Sequence, residues 1–205
     1  KPENVIQDLF RVADEYGQLQ PLTLYPYQKQ LVREYFYSDE PTISWMKGRR
    51  IGGSFGVILA ILLEGMQMPG AFYPIVSTKE EQAFSRINDI KQVIDAAVID
   101  VPLSKTPTKS EIVLWNGTTY KAYTGSPGGA RGDGARSVFI DEMAHIEDQE
   151  AMVAAFNPML ARSTGKLIQV STPLLPNDLF TRDWKRGSPS GENGMVSLFQ
   201  PTFNN

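Results

Sequence analysis

The chain of 205 residues contains no cysteine, which excludes disulfides and thiolate metal sites and suits a reducing compartment. Its single histidine, His145, has no cysteine or histidine partners for a zinc-type site, so a helix-surface or capping place is expected for it. No apolar run is long enough to span a membrane, and the N-terminus carries no signal-like stretch. Positive charge is not in excess either: 20 Lys and Arg against 23 Asp and Glu leave a net charge of −3. That excludes a strongly basic domain that coats nucleic acid, because such affinity comes mostly from Lys and Arg neutralising phosphates. Any such contact must be local, with residues 105–109 and 182–186 as the basic stretches and ordinary solvated loops as the plain alternative. There are no internal repeats. At 41% hydrophobic, the chain can bury one good core, or one domain with a small appendage.

What is present begins with Lys47-Gly48-Arg49-Arg50-Ile51-Gly52-Gly53-Ser54, an altered phosphate-binding loop. The ordinary pattern, G-x-x-x-x-G-K-S/T, turns a strand into a helix so that backbone N–H groups wrap phosphates, a Lys reaches the β/γ oxygens and a hydroxyl binds Mg²⁺. Gly52 and Ser54 keep the last glycine and the hydroxyl, but Gly53 stands where the Lys belongs. The flanks fit the motif: residues 42–46 read as a short buried strand and residues 55–63, from Phe55 on, as a buried helix. Lys47, Arg49 and Arg50 are the basic residues close enough to replace the missing cation.

A second motif lies downstream. Residues 137–140 form an apolar, β-branched and aromatic run ending in Asp141-Glu142, which places two carboxylates at the carboxyl edge of a central parallel strand, where ligands bind. An Asp there can hold Mg²⁺, and the neighbouring Glu can polarise an attacking water as general base. The bland alternative is a solvated helix N-terminus. The next strand, residues 166–171, ends in Ser171-Thr172-Pro173, whose hydroxyls can sense a γ-phosphate or merely satisfy turn amides. Trp45, Trp115 and Trp184 read as core or rim packing.

From about residue 25 to about residue 184 the chain resembles the ATPase domain of the large terminase subunit, the motor that packages DNA into tailed-virus capsids. The resemblance rests on Tyr25-Pro26-Tyr27-Gln28 as an adenine-side Q motif, the Arg-rich loop, Ser77-Thr78-Lys79-Glu80-Glu81-Gln82-Ala83, residues 112–117, Ala130-Arg131-Gly132, the acidic strand and Ser171-Thr172-Pro173. It implies an α/β, three-layer P-loop NTPase fold of the RecA-like (ASCE) kind with a mainly parallel sheet, and ATP and Mg²⁺ as substrate and cofactor. It further implies nucleotide contacts from Tyr27, Gln28 and the loop from Lys47 through Gly48, Arg49, Arg50, Ile51, Gly52, Gly53 and Ser54 to Phe55. Ser54 and Asp141 are the implied metal ligands, Glu142 the base, and Ser171 and Thr172 the coupling residues. Some members move the loop Lys to the first position, which Lys47 matches; others use an Arg near the start, which Arg49 matches. Arg131 is the implied arginine finger, supplied to a neighbour in a homo-oligomeric ring, with Arg136 as substitute. Its glycine-dense setting, residues 125–136, reads as a loop. Implied partners are double-stranded DNA, a portal protein and a small terminase subunit, in the infected host's cytoplasm at the procapsid portal.

The resulting division is a helical extension over 1–24, the ATPase domain over 25–184, and a loop and strand over 185–205 leading to a nuclease domain absent from this sequence. An isolated ATPase domain of this kind is expected to bind and slowly hydrolyse ATP and not to cut DNA. A helicase-like ATPase and a non-hydrolysing nucleotide-dependent assembly module are the alternatives; Gly53 favours the latter and Glu142 opposes it. The elements expected are a helix over 4–16, a helix over 28–36, a strand over 71–76, a helix over 80–97 and a hairpin at Asn116-Gly117. A helix over 150–160 and a last strand over 195–199 follow.

Overall fold

Alternation along the strands decides the architecture. Trp45, Ile75, Phe139, Ile168 and Val170 fall in one buried cluster, while Met46, Val76, Val138, Ile140 and Leu167 fall in another. Side chains one residue apart point to opposite faces of a strand, so both faces of this sheet are covered and the protein has three layers. In the computed structural model, residues 1–49, 51–124, 134–163 and 165–202 are described.

The elements run α1 (Pro2–Leu9), β1 (Arg11–Ala13), β2 (Leu19–Pro21), α2 (Pro26–Tyr37), β3 (Thr42–Lys47), α3 (Gly53–Gln67), β4 (Phe72–Ser77), α4 (Glu80–Asp95), β5 (Glu111–Val113) and β6 (Thr119–Thr124). Then come β7 (Ser137–Asp141), a 3-10 turn (Met143–His145), α5 (Gln149–Ser163), β8 (Lys166–Ser171), α6 (Leu179–Arg186) and β9 (Met195–Gln200). The main sheet has the order β5-β6-β4-β7-β8-β3-β9. Only β5 and β6 pair antiparallel, across the expected Asn116-Gly117 hairpin; every other neighbouring pair is parallel. Strand β8 follows β7 in sequence yet lies between β7 and β3, so the loop strand, the Ser-Thr strand and the acidic strand are neighbours. Their carboxyl ends, at Lys47, Ser171 and Asp141, share one edge.

Helices α1 to α4 contribute their apolar residues to the first cluster, and α5, the 3-10 turn and α6 to the second. The fold expected from sequence is therefore the one observed, with three corrections. The first helix stops at Leu9, and residues 11–21 form the β1–β2 hairpin instead. The reason is local: the Asp14 carboxylate accepts from the backbone N–H groups of Tyr16 and Gln18 at 3.0 and 2.8 Å, a turn that competes with helix. Helix α6 occupies a stretch read partly as loop; Asp178 caps it by accepting from Thr181 N at 2.7 Å, and its last turn carries Lys185 and Arg186. The basic residues there are partly engaged, Arg182 with Glu150 at 2.6 Å and Lys185 with the carbonyl of Pro176 at 3.0 Å.

The third correction concerns Arg136. Its guanidinium donates from Nε and Nη2 to Glu64 Oε1 at 2.9 and 2.7 Å, at the start of β7 and on the edge opposite Asp141. That pairing engages it within its own chain, away from the cleft. Glu64, on α3, also accepts from the hydroxyls of Tyr35 and of Tyr73, the latter at 2.9 Å. Burial first, and then the neighbouring Glu64 charge, push the Tyr35 phenol well above its ordinary range. Removing one member of such a network strands the others. Glu64→Ala should therefore lower stability by about 3 kcal/mol, read as a lower urea midpoint with an unchanged slope.

Candidate functional site

At the carboxyl edge the chain leaves β3 at Lys47 and re-enters helix at Gly53. Gly52 makes that turn in the left-handed region, at φ 71°, ψ 24°, a conformation glycine adopts without steric cost. The turn is held from behind: Tyr27 Oη donates to the carbonyl of Ile51 at 2.8 Å, and Gln28 Nε2 to that of Gly52 at 3.0 Å. Gln28 Oε1 meanwhile accepts from Tyr25 N at 2.9 Å, capping α2. Tyr27 and Gln28 thus support the loop backbone. At its other end, Gly48 N donates to the carbonyl of Gln200 at 2.7 Å.

The position of Gly53 has a specific cause. A Cβ there would lie 2.7 Å from Lys47 Cδ, so the stem of Lys47 already fills the space in which a side chain at residue 53 would start. Lys47 is only 7% exposed, and its Nζ reaches Glu142 Oε1 at 3.0 Å. The cation missing from the helix is thereby present in the cleft, delivered from the end of the strand.

Opposite it, Ser54 Oγ donates to Asp141 Oδ1 at 2.7 Å, and both residues are buried. Burial raises the Asp141 carboxyl above its usual value despite the Ser54 hydrogen bond and the Arg86 and Lys47 charges. Burial works in the same direction on Glu142, but there the charge and hydrogen bond of Lys47 outweigh it and the net value is lowered. Two adjacent carboxylates are thus shifted in opposite directions. Glu142 also adopts the left-handed region, at φ 54°, a conformation rare outside glycine and concentrated at functional sites. Its Oε2 faces Ser171 Oγ at 3.4 Å and both the N–H and Oγ1 of Thr172 at 3.5 Å.

These groups border a cleft of about 760 Å³ lined by Lys47, Arg49, Thr78, Lys79, Gln82, Glu142, His145 and Thr172. A recess of about 280 Å³ shares Lys47, Gln82 and Glu142 with it and adds the residues from Ile51 to Phe55, Arg86 and Asp141. The exposed Arg49 therefore faces the larger cleft, and Phe55 the recess. Arg50 and Arg131 lie outside the described residues. Two residues gave no motif signal. Arg86, one turn beyond Gln82 on α4, brings Nε to 3.8 Å from Asp141 Oδ2. His145, expected in a helix-surface or capping place, closes the 3-10 turn after Glu142 and lines the cleft, its Nε2 3.0 Å from Thr172 Oγ1. Only the i, i+4 spacing of Gln82 and Arg86 could have pointed to the first.

A glycine turn from strand to helix, an acidic neighbouring strand and an interposed strand between them define a RecA-like P-loop fold. The sequence model of one family, described as terminase large subunit, T4likevirus-type, N-terminal, matches residues 45–190. The chain belongs to that family. Comparison with curated protein sequences returns no match. Among solved structures, it is similar to the ATPase domain of the Thermus phage P74-26 large terminase, with 16% identity and a TM-score of 0.65 over 87% of this chain and 81% of that one. The large terminase of bacteriophage HK97 shares 16% identity with a TM-score of 0.74, over 97% of this chain and 43% of its own length. A large terminase from a thermophilic bacteriophage, in complex with ADP, shares 14% identity with a TM-score of 0.65, over 86% of this chain and 45% of its own. The chain thus spans less than half of those two large terminases.

The raised Asp141 value has a thermodynamic consequence. Its folded-state pKa exceeds the unfolded one, so its contribution to stability is present below the unfolded value and lost as pH rises through the folded value. Asp141→Asn should therefore stabilise the nucleotide-free chain at neutral pH, by about 1 kcal/mol, with the gain disappearing as pH falls below the ordinary aspartate range. Urea unfolding of both proteins across that range measures it.

Proposed function

We propose that this chain is the ATP-hydrolysing domain of a viral DNA-packaging motor, coupling ATP turnover to translocation of double-stranded DNA into a procapsid. The observation that carries the proposal is the seat of Lys47, whose stem lies 2.7 Å from where a Cβ at residue 53 would stand and whose ammonium reaches Glu142 Oε1 at 3.0 Å. An assembly module that only binds nucleotide has no use for a carboxylate held there. Family membership supports the packaging role, and the ADP bound by one structural relative supports nucleotide as the ligand.

In this reading the N–H groups opening α3 receive phosphate oxygens, as helix N-termini do, with Lys47 and Arg49 adding positive charge. Mg²⁺ fits the paired oxygens of Ser54 and Asp141: both are hard donors, 2.7 Å apart, and burial works against the charge of the carboxylate. When bound, that ion neutralises charge on the β- and γ-phosphate oxygens. Glu142 takes the proton of the attacking water. To do so it must release Lys47, and an arriving γ-phosphate competes for that ammonium, so loading the site frees the base. Ser171 and Thr172, facing Glu142 Oε2, relay the state of the base to β8 and the segment after it. Arg131 is the finger, acting on a neighbour's ATP in a homo-oligomeric ring. We assign residues 25–184 to the ATPase domain proper. A portal protein and a small terminase subunit are the further partners, in the host cytoplasm at the portal.

ATP turnover at rising chain concentration tests this. Turnover per chain should climb with concentration, Glu142→Ala should lose at least about 10²-fold, and Lys47→Ala should weaken ATP binding as well as turnover. Tight ATP binding without any Glu142-dependent turnover, even in the concentrated chain, would replace the motor with a binding module.

A further inference from the structure

We propose that His145 is a positioning residue for Glu142, acting through the hydroxyl of Thr172; this rests on the reading of Glu142 as the general base. The geometry is a chain of three groups. His145 Nε2 stands 3.0 Å from Thr172 Oγ1, and Thr172 Oγ1 3.5 Å from Glu142 Oε2, with the ring nitrogen itself 3.8 Å from that oxygen. The left-handed backbone at Glu142 makes this possible. It starts the 3-10 turn in which His145 N donates to the Glu142 carbonyl at 2.9 Å, folding the ring back over the end of β8.

Hydrogen-bond polarity then has one consistent solution. A carboxylate only accepts, and Thr172 has one hydroxyl proton, so if that proton serves Glu142 the ring must donate to Oγ1 from Nε2. With the proton on Nδ1 instead, Nε2 becomes an acceptor and draws the Thr172 hydroxyl away from Glu142. Two other groups approach the same oxygen. The Thr172 N–H donates to Oε2 at 3.5 Å from a fixed backbone position, which holds the carboxylate but cannot switch. Ser171 Oγ donates to the Thr172 carbonyl at 2.9 Å and accepts from Ala144 N at 3.1 Å, leaving only a 3.4 Å approach to Oε2. While Lys47 holds Oε1 at 3.0 Å the carboxylate is fixed from that side. Once Lys47 turns to phosphate, the Oε2 side sets its aim, and of the donors there the Thr172 hydroxyl is the one whose direction the His145 ring controls.

Because His145 is the sole histidine, a histidine-¹⁵N-labelled sample yields a single imidazole. In its neutral form, observed at alkaline pH, the proton is expected on Nε2, and Thr172→Val should shift that resonance. A proton on Nδ1 overturns the proposal. In turnover assays, His145→Ala should lower kcat about 10-fold with KM and ATP affinity little changed. His145→Gln, whose amide can donate from nearly the same place, should recover most of the loss, and His145→Ala should cost nothing further in a Thr172→Val background. An equal loss in both backgrounds, or none in either, also overturns it. Glu142→Ala separates the two readings. If that variant keeps full turnover, the general-base assignment fails; if it is inactive while His145→Ala is unimpaired, only the relay fails.

Discussion

The site depends on where the stem of Lys47 lies. As the last residue of β3 it is delivered by a buried parallel strand, and its alkyl chain crosses the first turn of α3 directly above Gly53. That single placement has three effects: a side chain at residue 53 would have to displace the stem, the ammonium is removed from bulk water, and Glu142 gains a partner that lowers its pKa. Lysine suits this better than arginine, since a compact charge on a flexible stem can change partners, whereas a planar guanidinium commits its fork to one geometry. The altered loop thus carries a buried ammonium beside the α3 N-terminus, delivered from the end of β3.

A cleft built from loop amides is useful only if those amides are fixed before the ligand arrives. Helix α3 is held at both ends. Near its start, Tyr27 and Gln28 bind the carbonyls of Ile51 and Gly52, with the Trp45 ring 6.1 Å from that of Tyr27 beneath them. Towards its C-terminal end, Glu64 gathers Arg136, Tyr35 and Tyr73, and Tyr120 Oη donates to the carbonyl of Ile61 at 3.1 Å. The Glu64 network is remote from the cleft, yet through the rigid helix it sets where the first amides point. Arg136 belongs to this anchor, so a guanidinium close in sequence to the glycine-dense segment is engaged on the edge opposite the cleft.

Legibility from sequence followed the range of the forces involved. The loop strand, the acidic strand and the Asn116-Gly117 hairpin were readable because each is specified by neighbours: an apolar run before glycines, a β-branched run before carboxylates, a turn dipeptide between strands. Gly117 does adopt φ +83°, as such a turn requires. The β1–β2 hairpin was missed because the Asp14 turn interrupts a stretch whose spacing still suits a helix, and α6 because its cap lies among Pro and Asn residues that resemble a loop. Arg86 was readable only through its i, i+4 spacing from Gln82, and His145 only as a lone histidine with a surface or capping place. Their places come from the packing of α4 against the sheet and from the left-handed kink at Glu142, neither of which has a local signature. The Lys47–Gly53 relation was visible only as a missing lysine; its cause is a contact across the turn.

Three of the places where local rules fail lie at the cleft, and they have a common sign. Asp141 carries a charge that burial opposes, Glu142 holds a backbone conformation costing about 1–2 kcal/mol, and Gly53 gives up helix propensity worth up to about 1 kcal/mol. Each is unfavourable for folding alone. The core that offsets them lies elsewhere, in the two clusters on either face of the sheet. A chain selected only to fold would relax these positions: asparagine at 141, glycine at 142. Asp141, Glu142 and Gly53 thus place three locally unfavourable choices at one sheet edge, beside the buried ammonium of Lys47.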